Sequence, residues 1–60
     1  MRPPVIELQN GLYLATKEIA NWEREDLPGG GIRLKIMKTD GTDENLFGEQ
    51  ARKAIQDLES

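Results

Sequence analysis

Sixty residues carry eight Lys and Arg against eleven Asp and Glu, a net charge of −3, with neither Cys nor His. Disulfides are therefore excluded, zinc, copper and haem lose their usual ligands, and the acidic balance argues against a general nucleic-acid or anionic-membrane binder. The hydrophobic fraction of 37% rises to the lower edge of the ordinary globular range of about 45–50% once the six glycines are counted, so the chain is expected to fold as one small domain over residues 1–60.

The first predicted element is a β-hairpin. Val5-Ile6-Glu7-Leu8 and Leu12-Tyr13-Leu14-Ala15 are β-compatible runs on either side of Gln9-Asn10-Gly11, and Asn-Gly between such runs is a strong hairpin signal. A two-residue Asn10-Gly11 turn would oppose Leu8 to Tyr13 and split the aliphatic residues between faces. A three-residue loop with Gly11 in the left-handed conformation opposes Leu8 to Leu12 and Ile6 to Leu14. That register gathers Ile6, Leu8, Leu12 and Leu14 on one face, and because a slip of one residue flips every side chain, burial selects it.

Residues 16–26 read as a short middle helix, with Thr16 as N-cap, Ile19 and Trp22 on its inner side, and Glu18, Glu23 and Arg24 toward water. Leu27-Pro28-Gly29-Gly30-Gly31 ends it. Ile32, Leu34 and Ile36 then alternate with Arg33, Lys35 and Met37, the period-two pattern of a strand with one buried face. Residues 38–42 have turn chemistry. Thr42 or Asp43 is the predicted cap of a last helix on which Phe47, Ala51, Ala54, Ile55 and Leu58 form a stripe, and Gly48 weakens its first turn enough to favour a late start. The expected fold class is α+β, a three-stranded antiparallel sheet made of the N-terminal hairpin plus one later strand, packed by the C-terminal helix, with the short middle helix at an edge.

No motif in this chain carries a recognisable chemistry. The triple glycine at 29–31 precedes a strand, whereas phosphate cradles follow a strand and open a helix. Asp40-Gly41-Thr42-Asp43-Glu44 begins like a calcium loop, but Asn45 stands where that loop needs glycine and Ala51 where it needs a bidentate glutamate. Acid pairs such as Glu23 with Asp26, or Asp43 with Glu44, lack a pocket and a nucleophile to serve. No catalytic, cofactor-binding or metal-ligating residue is therefore assigned, and the chain is read as non-enzymatic.

Two binding readings remain. In the first, apolar residues left over on the outer sheet face, Tyr13 and Met37 with Val5 and Ala15, joined by Trp22 and Leu27, form a contact for a protein partner or for a second copy. Tyr and Met are enriched in interface cores, and so small a chain usually needs oligomerisation or docking to supplement its core. In the alternative, Arg33, Lys35 and Lys38 form a basic stripe that follows a nucleic-acid backbone. The absence of a long apolar run, and of a signal-type start after Met1-Arg2-Pro3-Pro4, points to a cytoplasmic protein with no membrane partner.

Overall fold

The computed structural model describes residues 2–9 and 11–60. Five strands precede one helix: β1 (Val5–Gln9), β2 (Leu12–Ala15), a 3₁₀ turn (Thr16–Glu18), β3 (Ile19–Asp26), a second 3₁₀ turn (Pro28–Gly30), β4 (Ile32–Lys38), β5 (Asp43–Phe47) and α1 (Gly48–Glu59). The strands form two antiparallel sheets, the hairpin β1-β2 and the meander β3-β4-β5. The class is α+β as expected, but the single three-stranded sheet is replaced by two.

In the hairpin, Val5 faces Ala15, Ile6 faces Leu14 and Glu7 faces Tyr13; the register then shifts, so that Gln9 faces Leu12. The pairing of Ile6 with Leu14 is the expected one, but the expected pairing of Leu8 with Leu12 and its three-residue loop are not formed: an irregularity between Glu7 and Gln9 absorbs one residue, so Leu8 keeps its buried face while Leu12 meets Gln9. Ile6, Leu8 and Leu14 are buried, while the shift leaves Leu12 at the end of the inner face and 47% exposed. Gly11 has φ +80°, the left-handed conformation predicted for it; its neighbour Asn10, the other half of the predicted turn, lies outside the described residues.

The predicted middle helix does not form. Thr16 caps nothing: its hydroxyl donates to the carbonyls of Pro3 (3.0 Å) and Pro4 (3.2 Å), fastening the 3₁₀ turn to the start of the hairpin. Residues 19–26 are instead strand β3, paired with β4 along almost its whole length, with Trp22 opposite Ile36 and Arg24 opposite Leu34. Local helix preference is worth tenths of a kcal/mol per residue, less than the pairing and packing that β4 offers. The alternation in β3 was hidden because the positions opposite Ile36, Leu34 and Ile32 are Trp22, Arg24 and Asp26, only one of them apolar.

The last helix starts at Gly48, six or five residues after its predicted cap at Thr42 or Asp43, and so shows the late start that Gly48 favoured. Asp43 and Glu44 belong to β5, where Leu46 turns inward opposite Leu34, and Phe47 is the residue before the helix, exposed rather than in the core stripe. Gly48 opens α1 with φ +63°, a left-handed reversal between strand and helix. From there Ala51, Ala54, Ile55 and Leu58 are buried at i, i+3, i+4 and i+7 and pack against β1, β4 and β5. Arg2 closes the far end, its Nε donating to the Leu58 carbonyl at 3.0 Å, where a cation also complements the helix dipole. The core joins these residues to Ile6, Leu8, Leu14, Ile32, Leu34, Ile36 and Leu46, with Ile19 and Trp22 partly buried against it. Among the described residues no polar side chain is buried and no helix is long and apolar enough to cross a membrane.

Candidate interaction surface

The residues singled out from sequence scatter over both sheets. Tyr13 is 61% exposed on the hairpin, on the face opposite Ile6 and Leu14. Met37 lies half-buried on the outer face of the meander, between Asn21 and Asp43. Trp22 occupies the other face of that meander, level with Ile36 and packed on the core, so it cannot share a surface with Met37. Leu27 is half-buried in the β3-β4 connection, its N–H donating to the Gly31 carbonyl at 2.9 Å. No helix covers the outer face of the meander, since residues 19–26 lie within that sheet.

Sequence reasoning missed two members of the exposed apolar set, which comprises Val5 (48%), Leu12 (47%), Tyr13 and Phe47 (57%). Leu12 was assigned to the inner face and Phe47 to the helix stripe. The signal for Phe47 was present in Asp43-Glu44-Asn45-Leu46-Phe47-Gly48: alternation in a strand sends Leu46 and Phe47 to opposite sides, and Gly48 ends the run. Three of the four belong to the hairpin.

Each cation of the basic stripe has a carboxylate beside it. Arg33 Nε lies 3.2 Å from Glu25 Oε1, close enough for an ion pair although its N–H is not aimed at the oxygen. Lys35 Nζ is 3.8 Å from Asp43 Oδ2, and Lys38 Nζ is 3.1 Å from Glu44 Oε2. Arg33 and Lys35 share the outer face, while Lys38 alternates away from it. The acid pairs do not converge: Asp43 and Glu44 are successive strand residues and point to opposite faces. In the β4-β5 turn, Asp40 Oδ1 accepts the Thr42 hydroxyl (2.6 Å) and the Thr42 N–H (2.9 Å), and these bonds hold its carboxyl below the ordinary carboxylate value. A shallow cleft of about 290 Å³ lies among Arg24, Ile32, Arg52, Ile55, Gln56 and Glu59, with a single carboxylate and no second acid or base to work with it.

The strand edges differ in charge. β3 carries Glu23, Arg24, Glu25 and Asp26, β5 carries Asp43 and Glu44, and β1 carries Glu7, whose Oε1 takes an ion pair from Lys53 of α1 at 3.2 Å. Charged edges of this kind keep a sheet from adding a strand. β2, Leu12-Tyr13-Leu14-Ala15, has no charge and no proline, and among the described residues β1 is its only strand neighbour. The hydrogen-bond phase of the hairpin is set by the Thr16 N–H donating to the Pro4 carbonyl at 2.9 Å. Because narrow and wide pairs alternate along an antiparallel ladder, Leu14 also bonds toward β1, and the backbone groups of Tyr13 together with the N–H of Ala15 point away from it. Comparison of the chain with protein-family models, with curated proteins and with solved structures finds no match to any of them.

Proposed function

We propose that this chain is a non-enzymatic protein-interaction module whose contact surface is the hairpin, with Tyr13 and Val5 on its outer face and Leu12 at the rim of its inner face. The observation that carries the reading is the 61% exposure of Tyr13 on a hairpin that also half-exposes Val5 on the same face and Leu12 on the other, in a chain whose other strands expose mainly charge. Tyrosine supplies a large, stiff, amphipathic contact at low entropic cost, which suits it to the middle of an interface. Met37, Trp22 and Leu27 have no place in this surface as drawn, because each is at least half-buried and none belongs to the hairpin. The basic stripe offers the nucleic-acid alternative little support, since Arg33, Lys35 and Lys38 each have an acidic neighbour within 4 Å.

Site-specific photocrosslinking tests this surface. A benzophenone side chain in place of Tyr13 is expected to capture protein on irradiation in the producing cell, and the same probe in place of Glu23 is expected to capture none. Equal yields at the two positions, or none at either, would overturn the proposal.

A further inference from the structure

We infer that the partner strand for β2 is the β2 of a second copy, added antiparallel across a two-fold axis at Tyr13 to give a continuous sheet β1-β2-β2′-β1′. The inference rests on the reading of the hairpin as the contact surface and specifies both the occupant and the mode.

Three observations carry it. The outer edge of β2 presents the N–H and C=O of Tyr13 and the N–H of Ala15 with no strand to receive them, and an unpaired edge of this kind is a template for another strand. Its sequence is also a palindrome about Tyr13. Leu12-Tyr13-Leu14 reads the same in both directions, so two-fold pairing sets Tyr13 against Tyr13′ on the outer face and Leu12 against Leu14′ on the inner face, where the half-exposed Leu12 gains a cover. In this register Tyr13 N–H and C=O exchange bonds with their symmetry mates, and Ala15 N–H reaches the Gly11′ carbonyl. Finally, the other edges carry charge that self-pairing can bring together or bury. Two-fold pairing of β3 about Arg24 sets Glu23 against Glu25′, two like charges, and pairing of β5 about Asn45 sets Glu44 against Leu46′, a carboxylate against an aliphatic side chain. In a chain of net charge −3, the uncharged strand is the one on which two copies can meet.

Ala15→Pro separates this mode from a purely side-chain contact. Ala15 has φ −69° and ψ 132°, the angles proline requires, and its N–H points away from β1, so proline fits without disturbing the hairpin. Sedimentation equilibrium over a wide concentration range is expected to show a dimer for the parent chain and a Kd about 30-fold higher for Ala15→Pro, the effect of deleting two symmetry-related hydrogen bonds. Unchanged melting of Ala15→Pro at low concentration confirms that the monomer fold is intact. A dimer that Ala15→Pro does not weaken overturns edge pairing while leaving the Tyr13 surface standing. A parent chain that stays monomeric throughout overturns self-association, and crosslinking at position 13 then decides separately whether the hairpin binds a different protein. Hydrogen exchange of the parent chain provides a check that needs no variant. The amides of Tyr13 and Ala15 should exchange more slowly as concentration rises, and equal rates at low and high concentration refute the pairing.

Discussion

Replacing Gly48 with alanine changes stability in opposite directions under the two descriptions of the α1 start. If residue 48 sat inside an ordinary helical turn, alanine would stabilise by about 0.8–1 kcal/mol through helix propensity. In the structure Gly48 has φ +63°, and no atom lies within 4 Å of the position a Cβ would take, so the cost is backbone strain without a clash. An L-residue in that conformation loses roughly 1–2 kcal/mol, and the smaller entropy of the unfolded alanine chain returns about 0.5 kcal/mol. The net expectation is a loss of about 1 kcal/mol, which in a chain of this size lowers Tm by about 4–8 °C. Thermal melting and urea unfolding followed by far-UV circular dichroism measure it, with Gly48→Asn as companion because asparagine tolerates the left-handed region better and should lose less. A rise in Tm for Gly48→Ala would refute the strand-to-helix reversal at this residue.

Leu46 and Phe47 are adjacent yet should respond very differently. Leu46→Ala is expected to cost about 2–5 kcal/mol and Phe47→Ala less than about 1 kcal/mol in urea unfolding, whereas a helix beginning at 43 would make Phe47 the costly position. Leu34, fully buried and paired with Leu46, should also lose about 2–5 kcal/mol on truncation to alanine, a large share of the roughly 3–9 kcal/mol typical of a domain this size. The Asp40 carboxyl should titrate below 3.8 in a carbon-detected NMR titration and move back toward that value in Thr42→Val. Because its folded pKa is depressed, the stability it contributes is present above about pH 4 and is lost as pH falls through the folded value. Urea midpoints measured from pH 5 downward should therefore fall less steeply in Thr42→Val than in the parent chain.

What could be read from the sequence follows the strength of each local signal. The hairpin, β4 and the latter part of α1 were legible because their aliphatic residues recur at period two or at helical spacing with little interruption. β3 was not legible, because Arg24 and Asp26 occupy positions paired with the buried Leu34 and Ile32 yet stay exposed at the sheet edge, and Ile19 and Trp22 happen to sit three apart as in a helix. β5 was hidden by its acids: Asp43 and Glu44 resemble a helix start, yet they neutralise Lys35 and Lys38 of the neighbouring strand, a partnership visible only once the register is known. The exposure of Tyr13 was legible because hairpin alternation fixes its face. Leu12 and Phe47 were missed because a register shift and a strand end decide their exposure, and neither follows from periodicity.

The hairpin could not hold its shape alone, since an isolated two-stranded ribbon is marginal in water. It is held from three sides. Ile6, Leu8 and Leu14 are buried in the common core, Lys53 of α1 reaches Glu7, and Thr16 ties its N–H and hydroxyl to the carbonyls of Pro3 and Pro4. The third attachment matters most for the proposed pairing. The Thr16 N–H fixes which backbone groups of β2 turn toward β1, and the remaining groups, those of Tyr13 and Ala15, are thereby presented outward in register before any partner arrives. A partner strand then bears little of the ordering cost that pairing with a flexible segment would impose. Pro4 has no N–H of its own, so the only backbone bond at this pair is the one from the Thr16 N–H, and the Thr16 hydroxyl reinforces it at the same carbonyl. Trp22 and the acidic β3 belong to the support of the fold, while the uncharged edge of β2 is the one the proposed pairing uses.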